Sequence, residues 1–347
     1  MRLSKRSIAV LVVALILLVG CGVVWQQYYR LKICNIESND GKEHTVYVYP
    51  NATLDSVLQV VSQDYAIGSV KTLKFHARLM HFTTPRTGCY QLSAREGDYA
   101  FLKRLRNGEQ TPVKLSFNNI RTRAQLSARL SEQLLLDSIS IITRLENDSF
   151  MGQYGLNKAT AVSMFLPNTY EVFWTISADQ LFARMHREYE YFWTSDRLAA
   201  AQSLGITPTE VSIIGSIIEE ETNNTQEYPI IAGLYLNRLH IGMPLQACPT
   251  VKFALQDFTL RRILYEHLQY DSPYNTYKNR GLPPGPIRVV RPSTLDAVLH
   301  AKKHKYLYMC ASTEFNGTHH FSETYAEHAR YARAYQAILN QRGIGRK

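Results

Sequence analysis

Cysteine is scarce in this chain, five in 347 residues, and none stands in a C-x-x-C pair. Cys21 falls in an apolar run, Cys34 just beyond it, and Cys89, Cys248 and Cys310 are isolated. That number and spacing exclude a disulfide framework and a thiolate metal site. Histidine supplies no substitute. His300 and His304 have helical spacing, but Lys302, Lys303 and Lys305 in the same stretch would repel a cation, so no metal is expected. The chain also lacks internal repeats, low-complexity linkers and any recognised nucleic-acid motif. Its net charge of +10 does not change that reading, because five of those charges (Arg2, Lys5, Arg6, Arg30 and Lys32, with no acid) lie in the first 32 residues. The remaining excess is scattered apart from Lys302, Lys303, Lys305 and the basic tail, and suits an anionic polymer or a membrane surface.

What is present begins with a membrane segment, residues 1–33. Arg2, Lys5 and Arg6 precede an uncharged run from Ile8 to Trp25, followed by Tyr28, Tyr29, Arg30 and Lys32. As a helix rising about 1.5 Å per residue, the run spans about 27 Å, enough for a hydrocarbon core. Trp25, Tyr28 and Tyr29 suit the interface, and the leading basic residues favour a cytoplasmic N-terminus. A competing reading is a lipobox at Leu18-Val-Gly-Cys21, with Cys21 lipidated. The apolar run continues through Val23, Val24 and Trp25, which favours a retained anchor. Both readings put the rest of the chain outside the cytoplasmic membrane.

More than 300 residues remain, enough for two domains with real cores. Residues 42–113 predict a small α+β module. Thr45-Val-Tyr-Val-Tyr alternates as a strand does, Asn51 to Leu58 is a capped helix, Gly88 to Leu92 a second strand, and Asp98 to Arg106 a helix stopped by Asn107-Gly108. The size and order fit a LysM-type glycan-binding module and equally an unassigned α+β domain. From residue 114 the chain becomes mainly helical, with amphipathic runs at about 122–135, 137–147, 179–193 and 196–203. Met164 to Tyr170 gathers aromatics and a proline in a turn, which suits either sugar stacking or core packing.

The stretch around which the rest is organised is Thr207 to Thr222. Thr207 is a candidate N-cap, Pro208 opens the helix, and Glu210 completes a capping box. Ile213, Ile214, Ile217 and Ile218 mark one buried face. Glu221 follows Ile214, Ile217 and Ile218 by seven, four and three residues, which sets it on that apolar stripe. Glu219 instead follows Ser212, Gly215 and Ser216, a small-residue face open to close approach, and Glu220 belongs at the rim. A carboxyl on an apolar face has its pKa raised, the state a general acid needs near neutrality. A glutamate-rich helix end is also an ordinary solvated surface, and the spacing alone leaves both readings standing.

Beyond this helix the chain predicts a second helix from about Gln226 to Leu239. After it come turns dense in Gly and Pro (Gly242 to Val251, Ser272 to Tyr277, Gly281 to Ile287). Asn237, Gln246, Tyr274 and Asn275 put uncharged hydrogen-bonding groups on or near those turns, the chemistry of sugar hydroxyl and N-acetyl recognition. Each taken alone is also a common satisfied turn residue.

The ordered set Ser216-Ile-Ile-Glu-Glu-Glu-Thr222, Asn237-Arg238, Gly242-Met-Pro-Leu-Gln246, Pro249-Thr-Val251, Tyr274-Asn-Thr-Tyr277, Gly281-Leu-Pro-Pro284, Tyr306-Leu-Tyr308, His319-x-Phe321 and His328 resembles the endolytic murein transglycosylases of the MltG (YceG-like) family. The resemblance is strong over 207–328 and looser over 44–113. It implies an α+β architecture: an anchor (1–33), a LysM-like module (42–113) and a catalytic domain (114–347) with its motif core at 207–328. It also implies a lytic transglycosylase of bacterial peptidoglycan, held in the inner membrane with its catalytic domain extracytoplasmic. No cofactor is implied; the partners are glycan strands, the membrane and peptidoglycan synthases. The family's catalytic acid falls on Glu221, with Glu219 supporting it and Thr222, Asn237, Gln246, Tyr274 and Asn275 as substrate-binding candidates. Two positions depart from the pattern. Glu220 stands where Lys or Arg is common, an added negative charge expected to raise its neighbours' pKa values. Cys248 stands where Asp usually precedes Pro-Thr. The alternatives are a tethered peptidoglycan-binding scaffold without turnover, and a muramidase using water, which needs a second carboxylate in the cleft.

Overall fold

The computed structural model describes residues 5–260 and 262–341; the start of the expected anchor and the basic tail from 342 lie outside them. The chain divides into two compact units, residues 1–114 with 170–176, and residues 115–169 with 177–347. The architecture is mixed α and β, as the sequence predicts.

The first unit begins with one helix, Lys5–Lys32, whose run from Arg6 to Lys32 is long and apolar enough to cross a membrane. It passes Cys21 without a break. The strands His44–Val48 and Gly88–Leu92 pair antiparallel, with Val46 opposite Tyr90. Val46 and Val48 point inward while Tyr47 and Tyr49 point out, the period-two alternation that marks a half-buried strand. The capped helix runs Leu54–Asp64, with Thr53 accepting from the N–H of Ser56, and the helix Asp98–Asn107 ends at Gly108, whose φ of 70° is a left-handed cap. A further helix, Val70–Leu79, and a three-stranded sheet ordered Tyr65–Ile67, Ile36–Ser38, Arg95–Glu96 complete the unit. The sheet is not legible in the sequence, because strands of two or three residues are too short to show a period. Val61, Leu73, Tyr90, Phe101 and Leu102 form the core between helices and strands. The returning segment joins it: Trp174 meets the rings of Tyr47 and Tyr49 edge-on, with both centroid distances 5.0 Å.

In the second unit, Arg123–Ser131, Ser138–Leu145, Ala178–Phe192 and Ser195–Ser203 are the four predicted amphipathic helices. The Met164–Tyr170 turn serves packing: Met164 and Phe165 are fully buried, and Phe165 meets Phe117 and Phe182 edge-on. The glutamate helix runs Pro208–Glu221, with Thr207 and Glu210 closing the capping box at both hydrogen bonds. Ile214, Ile217 and Ile218 are fully buried against residues of the helices Tyr228–His240 and Pro292–Leu299. Gly215 is why the latter comes so close. A Cβ there would sit 2.9 Å from Cγ1 of Val290, near Leu295 and Thr294. Ser216 works the same face, its hydroxyl accepting from the N–H of Ile287 at 3.0 Å and so holding the end of the proline-rich loop.

Candidate active site

The last turn of the Pro208–Glu221 helix carries three carboxyls in three different surroundings. Glu219 is buried, its side chain 1 % exposed. Its Oε1 accepts from the backbone N–H of Arg291 (3.0 Å), from Nε of the same arginine (3.1 Å) and from the Thr294 hydroxyl (2.5 Å). Nε of Arg288 stands 3.2 Å from Oε2. Such a cage fixes the carboxyl in place, which suits it to anchor the Pro292–Leu299 helix.

Glu220 is half-buried and accepts a two-pronged contact from Arg121 (2.9 and 3.0 Å) and a third from Arg288 (2.9 Å). This corrects the expectation that its extra charge raises the pKa of its neighbours. Two guanidiniums already offset that charge.

Glu221 ends the helix, is partly exposed, and lines a cavity of about 610 Å³ together with Thr222, Asn224, Ser312 and His319. Burial pushes its carboxyl up to about 7. The hydrogen bond from Tyr235 and the electrostatic influence of nearby His319, Lys252 and Arg238 all pull the other way, and burial outweighs them. The Tyr235 hydroxyl donates to Oε1 at 3.0 Å. That bond fixes the carboxyl and places an O–H where a phenolate is strongly disfavoured, since burial and the adjacent Glu221 both raise the tyrosine's pKa well above its usual value. The result is a carboxyl that exchanges its proton near neutral pH beside an open cleft.

The remaining predicted residues divide. Thr222 caps the helix at the cavity wall, its hydroxyl accepting from the N–H of Asn224 at 3.0 Å. Gln246 is exposed in a left-handed conformation, φ 49°, while its backbone N–H donates to the carbonyl of Thr276. Tyr274 packs against Phe253, centroids 4.7 Å apart, and lines a different cavity of about 340 Å³ with Arg121 and Ser272. Asn237 spends its amide on the carbonyls of His304 (2.8 Å) and Tyr306 (3.1 Å). Asn275 is fully buried, donating to the carbonyls of Leu268 and Tyr270 and accepting from the N–H of Tyr277. These two stitch loops together, so the turn-residue reading describes them.

The motif pieces meet through such stitches. The Thr276 hydroxyl accepts from the N–H of Ala247 and lies 2.8 Å from the Thr250 hydroxyl, joining the Gly242–Val251 and Tyr274–Tyr277 segments. Buried Arg238 donates to the carbonyls of Leu245 (2.7 Å) and Leu307 (2.6 Å). Cys248 presents its thiol 3.2 Å from the Tyr277 hydroxyl, both within electrostatic reach of Glu221. Tyr235, Arg288, Arg291 and Thr294 were missed by sequence reasoning. For the arginines, the signal was an arginine pair beside the proline-rich loop; for Tyr235, a second tyrosine seven residues after Tyr228 on one helix face.

Comparison with known proteins finds named relatives. The chain is 25 % identical to an endolytic murein transglycosylase of Bacillus subtilis (strain 168), over 88 % of its own length and 89 % of that protein's. It is 23 % identical to an endolytic murein transglycosylase of Streptococcus pneumoniae (strain ATCC BAA-255 / R6), covering 94 % of this chain but 64 % of the longer pneumococcal one. The crystal structure of a yceG-like protein from Listeria monocytogenes superposes with a TM-score of 0.57 at 27 % identity, over 83 % of this chain and 98 % of that one. The sequence pattern of the YceG-like family matches residues 46–334, from the first strand of the small module into the last helix, and the chain belongs to that family.

Proposed function

We propose that this protein is an endolytic lytic transglycosylase that cleaves the MurNAc-β-1,4-GlcNAc bond inside peptidoglycan strands and leaves 1,6-anhydroMurNAc ends. The observation that carries the proposal is the state of Glu221: one carboxyl, oriented by Tyr235, raised to about 7 and facing an open cavity. The relatives named above act on murein by their names, which supports the same substrate here.

A glycosidase that uses water needs two carboxyls at the scissile bond, one acid and one nucleophile or base. Glu219 is not available for the second role, being consumed by Arg288, Arg291 and Thr294. A single carboxyl suffices when the nucleophile is part of the substrate. Protonated Glu221 donates to the glycosidic oxygen as the C1–O bond breaks, and the MurNAc C6 hydroxyl closes onto C1 while losing its proton to the carboxylate so formed. The nucleophile is already attached, so orientation supplies much of the rate. Thr222 at the cavity wall and Gln246 on an exposed turn are the polar groups left free enough to hold sugars.

The N-terminal helix anchors the chain in the inner membrane, N-terminus inside and the second unit outside, with a lipidated Cys21 as the alternative attachment. Residues 42–113 are a LysM-like module, and the role is to end nascent strands beside the synthases. The test is full-length protein in detergent incubated with purified peptidoglycan, with mass spectrometry of the released fragments. Internal anhydro ends that vanish with Glu221→Gln support the reading. Reducing ends would make the protein a hydrolase, and binding without cleavage would make it a scaffold.

A further inference from the structure

Glu221 shares its cavity with a second group able to carry a proton. His319 opens the strand His319–Ser322 and lines the same cavity. One carboxylate, Glu227, grips it twice. The His319 backbone N–H donates to Oε1 at 2.8 Å, and ring Nδ1 lies 2.8 Å from Oε2. Glu227 is buried, its side chain 9 % exposed, in the short turn Thr225–Glu227 that follows the glutamate helix. A carboxylate accepting from Nδ1–H fixes both ring orientation and tautomer. The acceptor left in the neutral ring is Nε2, which has no hydrogen-bond partner among the described residues. The side chain is 15 % exposed, sheltered yet open to the cavity.

We infer that the Glu227–His319 pair is a second proton-handling site of the reaction, with His319 Nε2 receiving the proton of the attacking sugar hydroxyl and returning it to Glu221. The inference rests on the transglycosylase reading and refines its second half. The sugar O6 forms its bond to C1 as the C1–O4 bond breaks. Glu221 delivers its proton to O4, and the O6 proton passes to Nε2. The resulting Glu221 carboxylate and His319 imidazolium attract each other, and protonated His319 is among the charges that favour ionised Glu221. Proton transfer from Nε2 to the carboxylate then restores both groups, so no co-reactant is consumed. With Glu227 holding Nδ1–H throughout, the ring neither flips nor swaps tautomers between the two events.

The test uses the full-length protein and counts 1,6-anhydro ends. His319→Ala should lower turnover about a hundredfold, the usual contribution of a positioned acid or base, with glycan binding within about threefold of wild type. Added imidazole should restore turnover in proportion to its concentration. Glu227→Gln should cost less, and imidazole should not rescue it. Turnover in His319→Ala within about threefold of wild type overturns the inference while leaving the transglycosylase reading intact. A large loss that imidazole does not restore, accompanied by a lower unfolding temperature, assigns the pair a structural role and overturns it too. Reducing ends from the wild type would instead overturn the transglycosylase reading, and with it the step assigned to O6.

Discussion

Glu219 and Glu221 stand two residues apart on one helix, and their surroundings are opposites. Around Glu219, which also borders the cavity, three N–H or O–H donors converge on a single oxygen and a guanidinium flanks the other. Around Glu221 there is one donor, Tyr235, and beyond it open space. The first carboxylate is solvated by the protein, and the second is short of such donors. Under the proposed function, burial alone is then a poor guide to catalytic use, since the more deeply buried glutamate is the one tied up by its partners.

The sharpest way to break this contrast is to neutralise each carboxyl. Glu221→Gln should reduce release of anhydro fragments by about a thousandfold, within the range for loss of a general acid. Its effect on stability should run the other way. Because the folded-state pKa of Glu221 is raised above the unfolded value, the native state holds the proton more tightly, and ionisation costs stability as pH rises from about 4.5 to about 7. Glu221→Gln should then be more stable than wild type at pH 8, by about 1–3 kcal/mol from the size of the shift, and equal to it near pH 4. Urea unfolding at the two pH values would show it.

Glu219→Ala should cost about 3–5 kcal/mol, the penalty for leaving partners of a buried ion pair uncompensated. Protein that remains folded should keep measurable turnover. Complete inactivity in a stably folded Glu219→Gln variant would erase the distinction drawn here.

Tyr235→Phe sharpens the comparison by degree. The Tyr235 hydrogen bond favours the ionised carboxyl, so its loss raises the Glu221 pKa further. The alkaline limb of the pH–rate profile should move up by about one to two units, given the worth of a hydrogen bond to a charged group. Movement to lower pH would contradict the assignment.

The smallest effects separate stitching from sugar holding. Asn237→Ala should cost about 1–2 kcal/mol of stability through its lost bonds to His304 and Tyr306 and leave KM unchanged. Gln246→Ala, truncating an exposed side chain, should leave stability within about 0.5 kcal/mol and act on KM alone.

Much of this contrast was legible in the chain itself. The cap at Thr207, the opening Pro208 and the isoleucine spacing define the helix, and the same spacing separates the faces of Glu219 and Glu221. What meets those faces was not legible. Arg291 and Thr294 lie 72 and 75 residues beyond Glu219, and Glu227 and His319 are 92 apart. Contacts at such separations leave no periodic trace in a single sequence. The polar turn residues mislead for a related reason. An asparagine looks the same in sequence whether its amide faces a sugar or a backbone carbonyl, and Asn237 and Asn275 do the latter. The return of Tyr170–Ile176 to the first unit was equally hidden, being set by the reach of Trp174 toward Tyr47 and Tyr49.

The joint inside the first unit, between its apolar helix and its small module, has a mechanical meaning. The helix that ends at Lys32 is followed by a strand starting at Ile36, and its last turn is already held: Arg30 donates to the Thr72 hydroxyl at 3.1 Å, and Lys32 lies over the Tyr99 ring at 3.8 Å. A tether of many loose residues would let a module wander through a hemisphere. This joint has none to spare. With the helix in a bilayer, the small module would be carried at a set height above the lipid, free to drift only laterally. Lengthening the joint would then act like a longer leash, changing the height the module can reach.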